Sequence, residues 1–531
     1  MAFGLHALRR AFRFVCWDHG GLSALLGVSL LVRMLLFRWW AAAPFGDVFN
    51  FVRIAQELAH GAYPLLEKRL PAYPLFILLV HALLPGVSWE GAAVSVALAG
   101  SLLALVAFYA LGRTLGIRRV PLLVGVALLS SFQPFLALSI RGYADTTLVV
   151  LLLGSQLAAL RVRSTRGLLV LGGLLGLLTL TRYEGLVASA VLLVLLVIRT
   201  RGRIGSVLPV IVVMALVLLP YAVFSARSGR NLLPVGYLAR ARSDSGQYGA
   251  SSAREFFQRY EGVWQRLGLF QAWRAPLGIV QTAREDPFGL PRHLVDLVAE
   301  PRSATALLAI PGFLWFFWRK RRVLDGLVVT APFFAMAVLI AWWSALVRFD
   351  AMLYPLMAMA AAAGAHVFSL TLSRATAPGR AGRAVRGAAA AGLLCTASLV
   401  WMLSFVQQTR DGLKKSRFRD LGYYQALRHV RALPGVVAFE NRLGITEASF
   451  GDRAVYAEEL FPAGADPPER WRALTDARVS FVVASGREAS PYQFLRTGSL
   501  DVRVDEIARY VIEQGNHDIN EGVVYRLTKV R

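Results

Sequence analysis

Long apolar runs separated by short polar turns dominate the chain. A helix needs about 20 apolar residues to cross the hydrocarbon core, somewhat fewer when packed among neighbours. Runs of this kind lie at 21–40, 91–111, 120–138, 145–161, 167–180, 184–198, 206–224, 304–318, 323–345, 349–370 and 387–406. They predict a mainly α, polytopic membrane helix bundle of about 11 spans. The run from Ala72 to Leu84 is short and follows Pro71, with Pro74 inside it; it predicts a re-entrant or interfacial helix rather than a crossing.

Loop charge supports this arrangement. Arg9, Arg10 and Arg13 place the N-terminus in the cytoplasm. The loops with Arg113, Arg118 and Arg119; Arg161, Arg163 and Arg166; Arg199, Arg201 and Arg203; Arg319 to Arg322; and Arg374 to Arg386 then fall on that same side, provided 72–84 does not cross. The opposite side collects the Phe45–Pro74 loop, the turns at 139–145, 181–185 and 347–350, the long stretch 225–303 and the C-terminal tail.

Two polar regions carry their own pattern. Along 48–60, Val48, Phe51, Val52, Ala55 and Ala59 fall on one helical face and Asn50, Arg53, Glu57 and His60 on the other. This predicts a two-faced helix in the interface plane, with Asp47 just before it. The stretch 225–303 is rich in arginine and aromatic residues, too polar to span and long for a connector, so it is expected to form short helices over the site. From about 409 the pattern becomes that of a soluble domain. Helices are expected at 421–430, 468–474 and 502–511, and strands at 436–439, 454–457, 479–483 and 523–527. Together they predict a small α/β layer, giving domains at 1–408 and 409–531. There is no internal repeat, phosphate-binding glycine loop or nucleophile elbow.

Composition narrows the class. Apolar residues make up 56% of the 531 positions and the mean hydropathy is +0.51, so a membrane protein is the expectation. The net charge of +25 raises nucleic acid as a partner, but from residue 409 onward 19 Lys and Arg face 17 Asp and Glu. The excess therefore sits in the short loops between spans, which excludes a continuous phosphate-binding groove and nucleic acid with it. Cys16 and Cys395 have no metal-type spacing and no expected disulfide. The run 21–40 is long for a signal-peptide core and reads as a retained first span.

Asp47, Glu67, Asp145 and Glu184 are acidic residues near predicted membrane boundaries on one side. Each has an ordinary reading. Asp47 and Asp145 could cap the helices that follow them. Glu67 could pair with Lys68 or Arg69, and Glu184 with Arg182. Taken together, ionisable groups at that depth line a polar cavity more readily than lipid. Sugar transfer from a phosphate donor needs a base for the acceptor hydroxyl and cations for the leaving phosphate. Arg141, Arg182 and Arg348 lie at three turns on the same side.

With these residues in place, the chain resembles the GT-C superfamily of integral-membrane glycosyltransferases. It is most similar to the family 39 type, which includes protein O-mannosyltransferases and the aminoarabinose transferases of lipid A. FGDVFN, with Asp47, resembles the family's catalytic Asp after the first span; LEKRLPAYP, with Glu67, resembles its second acidic position. RGYAD resembles its later basic and acidic turn, with Arg141 and Asp145. RFDAMLYP resembles its late span, with Arg348, Tyr354 and Pro355. The resemblance covers roughly 20–370 and implies an inverting transfer from a polyprenyl-phosphate hexose or pentose to a glycan, lipid or protein acceptor. It implies Asp47 as base, Glu67 and Asp145 as acceptor-positioning groups, and Arg348 with Arg141 or Arg182 on the phosphate. Glu184, Tyr354 and Asn50 are further candidates. Asp47 lacks the paired acid of many members, being flanked by Gly46 and Val48, so no metal or other cofactor is indicated. The expected location is a bacterial plasma membrane, with membrane lipids as neighbours and the C-terminal domain extracytoplasmic.

Two rival classes remain open. A flippase or transporter of lipid-linked sugars would share the spans and buried charges but is expected to show two similar halves, which are absent here. A non-catalytic membrane scaffold would leave the acids and arginines at the outer turns unexplained.

Overall fold

The computed structural model describes residues 20–40, 47–63, 69–162, 164–202, 204–227, 252–267, 301–318, 323–343, 349–375, 425–427, 429–440, 450–462, 465–485, 490–497, 502–511 and 521–529. The membrane helices are α1 (Gly20–Trp40), α2 (Asp47–Ala59), α3 (Ala72–Leu83), α4 (Trp89–Thr114), α5 (Arg119–Ser131), α6 (Gln133–Arg141), α7 (Asp145–Arg161), α8 (Thr165–Thr181), α9 (Tyr183–Arg199), α10 (Ile204–Arg227), α11 (Ala253–Arg266), α12 (Pro301–Phe317), α13 (Val323–Trp343) and α14 (Asp350–Ala375), with α2 and α11 being amphipathic connectors among them. The first ten apolar runs each fall on helix; the run 387–406 lies outside the described residues.

Five of these helices are long and apolar enough to cross a membrane: Gly20–Phe37, Trp89–Thr114, Val207–Arg227, Val323–Trp342 and Asp350–Thr371. The expected single span at 120–138 is instead two helices bent by 60°. Phe132 between them is extended, and Pro134 at the start of α6 suits a helix start better than a helix interior. Counted as one span, the pair makes a sixth. Helices α7, α8 and α9 have 17 residues each. Helix α3, with 12, is too short to cross unaided.

The chain forms two compact units. The first comprises 1–34, 64–76 and 94–407; the second comprises 35–63, 77–93 and 408–531.

Within the first unit, close packing and buried polar clamps hold the bundle. Helices α12 and α14 approach so closely at Gly312 and Gly364 that a Cβ at either would overlap a carbonyl of the facing helix, Ala360 or Leu308. Arg33, 1% exposed in α1, is held by hydroxyls. It donates to Ser139 Oγ at 3.1 Å, to Ser130 Oγ and Ser29 O at 3.2 Å each, and to Ser29 Oγ. Gln156 of α7 serves α13. Pro332 has no N–H for the carbonyl of Val328, and the Gln156 amide donates to that carbonyl at 3.1 Å and to Val329 O at 3.0 Å.

The second unit contains a five-stranded sheet built from β1 (Val436–Phe439), β2 (Ala454–Tyr456), β3 (Val479–Ser485), β4 (Val502–Val511) and β5 (Glu521–Lys529). The strand order is β2-β1-β3-β5-β4; β1 pairs parallel with β2 and β3, while β5 pairs antiparallel with β3 and β4. The helix α15 (Pro467–Asp476) starts with a capping box between Asp466 and Glu469. One expectation is corrected here: 502–511 is strand, not helix. Its pairing with β5 shifts register between Glu506 and Ala508. A bulge there switches the inward face, so Val504 packs on one side of the sheet and Ala508 and Tyr510 on the other. Two alternating runs joined by an extra residue mimic helical spacing.

Helix α2 belongs to this second unit. Val48, Phe51, Val52 and Ala55 are buried as the two-faced reading expects, and Ala59 is exposed. Phe49 and Ile54 are buried as well, so the helix has more than one apolar face. The Phe49 ring sits in the sheet's core with Leu427, Val430, Val437, Phe439, Phe481 and Val524. Burying such a ring contributes about 1.5–3 kcal/mol.

Candidate active site

The site that the structure assembles lies in the first unit, where three chain turns meet. Helix α6 ends at Arg141 on Gly142, which takes the left-handed conformation with φ 77° and caps the helix through its N–H to Leu138 O. Helix α7 then begins at Asp145. The turn is fixed from outside: Tyr73 donates to Gly142 O at 2.6 Å, and Thr146 Oγ1 donates to Ala97 O at 3.0 Å. Burial pushes the Tyr73 phenol well above its usual range, and the negative charge of Asp145 pushes it the same way. The phenol therefore stays protonated and donating at neutral pH.

Asp145 is 1% exposed. It is the first helical residue rather than the residue before the helix, and it makes no capping hydrogen bond. Its charge is met by the positive end of α7 and by Arg182, whose Nη1 lies 3.5 Å from Oδ1.

Arg182 is the extended residue between α8 and α9, with φ −160° and ψ 158°. That break in the helix throws its side chain sideways. The guanidinium fork grips Glu184 with Nε at 3.1 Å and Nη2 at 3.2 Å, a bidentate geometry. Its Cζ stands 5.2 Å from the centre of the Phe349 ring. One cation is thus shared between two largely buried carboxylates, and the three groups carry a net negative charge.

The next residue extends the constellation. Asp350, 2% exposed at the start of α14, takes a bidentate pair from Arg266 at 2.8 and 3.1 Å. Arg266 ends α11, so this pair fastens part of the 225–303 stretch to the bundle, helped by Trp264 packing on Phe334 at 5.0 Å. Tyr354 of α14 stacks on Phe132 at 3.7 Å, with its hydroxyl 3.2 Å from Thr305 Oγ1.

Asp145, Arg182 and Glu184 are therefore brought together, with Arg141 half-buried one turn before Asp145. The local pairing of Glu184 with Arg182 is present. Tyr354 is a buried packing residue with an engaged hydroxyl. Asp47 is the first residue of α2 and Asn50 is half-buried on it. The Asp47 side chain, Glu67 and Arg348 lie outside the described residues. Among the described residues, no group of three or more His, Cys, Asp or Glu is placed to hold a metal ion. Sequence reasoning missed Tyr73, Arg266, Phe349 and Asp350; the signal available was an Asp at a span boundary in VRFD, of the same kind that singled out Asp145.

An intramembrane fold with short amphipathic helices and a terminal α/β sheet can be compared with known structures. Over 96% of this chain and 98% of that one, the structure is similar to ArnT from Cupriavidus metallidurans bound to undecaprenyl phosphate, at 14% identity and a TM-score of 0.58. The two chains share their fold. It is also similar to the Archaeoglobus fulgidus oligosaccharyltransferase tethered with an acceptor peptide, at 15% identity and a TM-score of 0.54, covering 89% of this chain and 70% of that one. The archaeal oligosaccharyltransferase AglB from the same organism, in complex with an inhibitory peptide and a dolichol-phosphate, matches at 13% identity and 0.51 over the same shares. No protein-family model matches the chain, and no curated protein matches it in sequence.

Proposed function

We propose that this protein is an inverting glycosyltransferase that moves a hexose or pentose from a polyprenyl-phosphate donor to a glycan, lipid or protein acceptor. The observation that carries the proposal is Arg182 held between buried Asp145 and Glu184, in a fold otherwise known from enzymes crystallised with polyprenyl phosphates and acceptor peptides. Two carboxylates in a membrane protein impose a large desolvation cost, which a catalytic or binding role justifies.

In this reading the acceptor hydroxyl attacks the anomeric carbon as the carbon–oxygen bond to phosphate breaks. Polyprenyl phosphate leaves, and the hydroxyl proton passes to Asp47 as general base. Glu67 and Asp145 orient the acceptor. Arg348 and Arg141 hold the leaving phosphate. Arg182, already engaged by two carboxylates, holds Asp145 in place. The motifs around Asp47, Glu67, Arg141 and Arg348 favour the family 39 type in this reading. The division into a transferase domain at 1–408 and a terminal domain at 409–531 accompanies it, as does a bacterial plasma membrane with a cytoplasmic N-terminus and an extracytoplasmic terminal domain.

Mass spectrometry of the lipid that copurifies with the protein, followed by transfer from that lipid in reconstituted vesicles, tests the proposal. A polyprenyl-phosphate sugar that is consumed with release of polyprenyl phosphate supports it. Movement of the intact lipid between leaflets without sugar release would replace it with the flippase reading.

A further inference from the structure

Helix α2 begins at Asp47, the proposed base, yet it packs as part of the compact unit that holds the C-terminal sheet. Among the described residues, an aromatic side chain of α2 joins the sheet's core. Phe49 is 4% exposed and belongs to the core cluster made by Leu427 and Val430, the strands β1, β3 and β5, and Phe450 and Tyr456. Segments 24 to 98 residues apart within the C-terminal domain close around it, from Ala426 to Phe450 at the near end and from Ala426 to Val524 at the far end. Among the described residues, no other residue of α2 belongs to that cluster.

The geometry points to a function for the C-terminal domain: it is the positioning scaffold of the catalytic helix, and Phe49 is its positioning residue. The inference rests on Asp47 being the base. At 3.6 residues per turn, positions 47 and 49 are separated by roughly 200° around the helix. A ring locked at 49 therefore fixes the rotation of α2 and, with it, the angular place of position 47 on the helix. Core packing of this kind restricts an element to one arrangement because a displaced ring leaves a cavity. A general base loses effect when its placement drifts by about 1 Å. Placing the base on a helix anchored in a separate domain also means that anything deforming the sheet, such as an acceptor bound on it, changes the rotation of α2.

Phe49→Ala and Phe49→Leu variants in lipid nanodiscs test this, with hydrogen exchange of 47–59 and of β1, β3 and β5 measured beside kcat and donor KM. Phe49→Ala is expected to raise exchange in α2 at least tenfold, leave the strands protected, and lower kcat at least tenfold with donor KM within twofold of the parent. Phe49→Leu, which refills most of the space, is expected to recover both. Wild-type exchange and kcat in Phe49→Ala would overturn the inference, as would loss of protection throughout the strands, because Phe49 would then be a folding residue of the sheet. If the parent protein transfers no sugar while α2 still loosens selectively in Phe49→Ala, the mechanical coupling stands and the glycosyltransferase reading fails.

Discussion

Nη1 of Arg182 lies 3.5 Å from Oδ1 of Asp145, while the other two nitrogens of the same guanidinium close on Glu184 at 3.1 and 3.2 Å. Asp145 is almost wholly buried, with this arginine and the positive end of α7 beside it. Removing the cation leaves two carboxylates close together in a poorly solvated place.

Arg182→Ala should therefore cost about 3–5 kcal/mol, since a buried pair loses one partner. Arg182→Lys should recover only part of this, because an ammonium cannot supply the two parallel bonds to Glu184. Thermal unfolding in detergent checks both. A melting temperature for Arg182→Ala equal to the parent would show that Asp145 does not depend on it.

The extent to which this was legible in the sequence differs between fold and site. The long apolar helices could be read because runs of about 20 apolar residues leave little alternative, and the helix starts at Asp145 and Tyr183 coincide with charge at the ends of apolar runs. The bend at Phe132 was hidden because the apolar residues run through it without interruption. Strand β4 was misread because a bulge turned a period of two into something near a period of three and a half. In the site, Arg182 with Glu184 is a neighbour pair, visible from a spacing of two. Arg266 with Asp350 joins positions 84 apart, and no local pattern encodes that meeting. Phe49 was left out of the two-faced helix because its position falls between the two faces, and only the sheet explains its burial.

The Arg266–Asp350 pair should hold α11 on the bundle. Asp350→Asn and Arg266→Ala remove a charge-assisted bidentate contact worth about 1.5–3 kcal/mol per hydrogen bond at most, less where Arg266 is solvated. Amides of 253–266 should exchange faster in both variants, while α14 stays protected. Unchanged exchange in α11 would mean that Trp264 and its aromatic neighbours hold the helix without the pair.

Gln156 and Pro332 should be coupled. Gln156→Leu strands the carbonyl that the proline leaves without a helical partner, at a cost of about 1–3 kcal/mol. In a Pro332→Ala background the restored N–H serves Val328 O, and the cost of Gln156→Leu should shrink. A double-mutant cycle on thermal stability measures the coupling; strict additivity would show that the amide does not act on those carbonyls.

Sugar transfer by Asp47→Asn, in vesicles loaded with a polyprenyl-phosphate sugar, tests the base assignment most directly. The substitution keeps size and polarity but cannot accept the acceptor's proton. Transfer should fall by about 10²–10⁴-fold, the usual range for a lost general base, with an unchanged melting temperature. Transfer by Asp47→Asn at the parent rate would contradict the account.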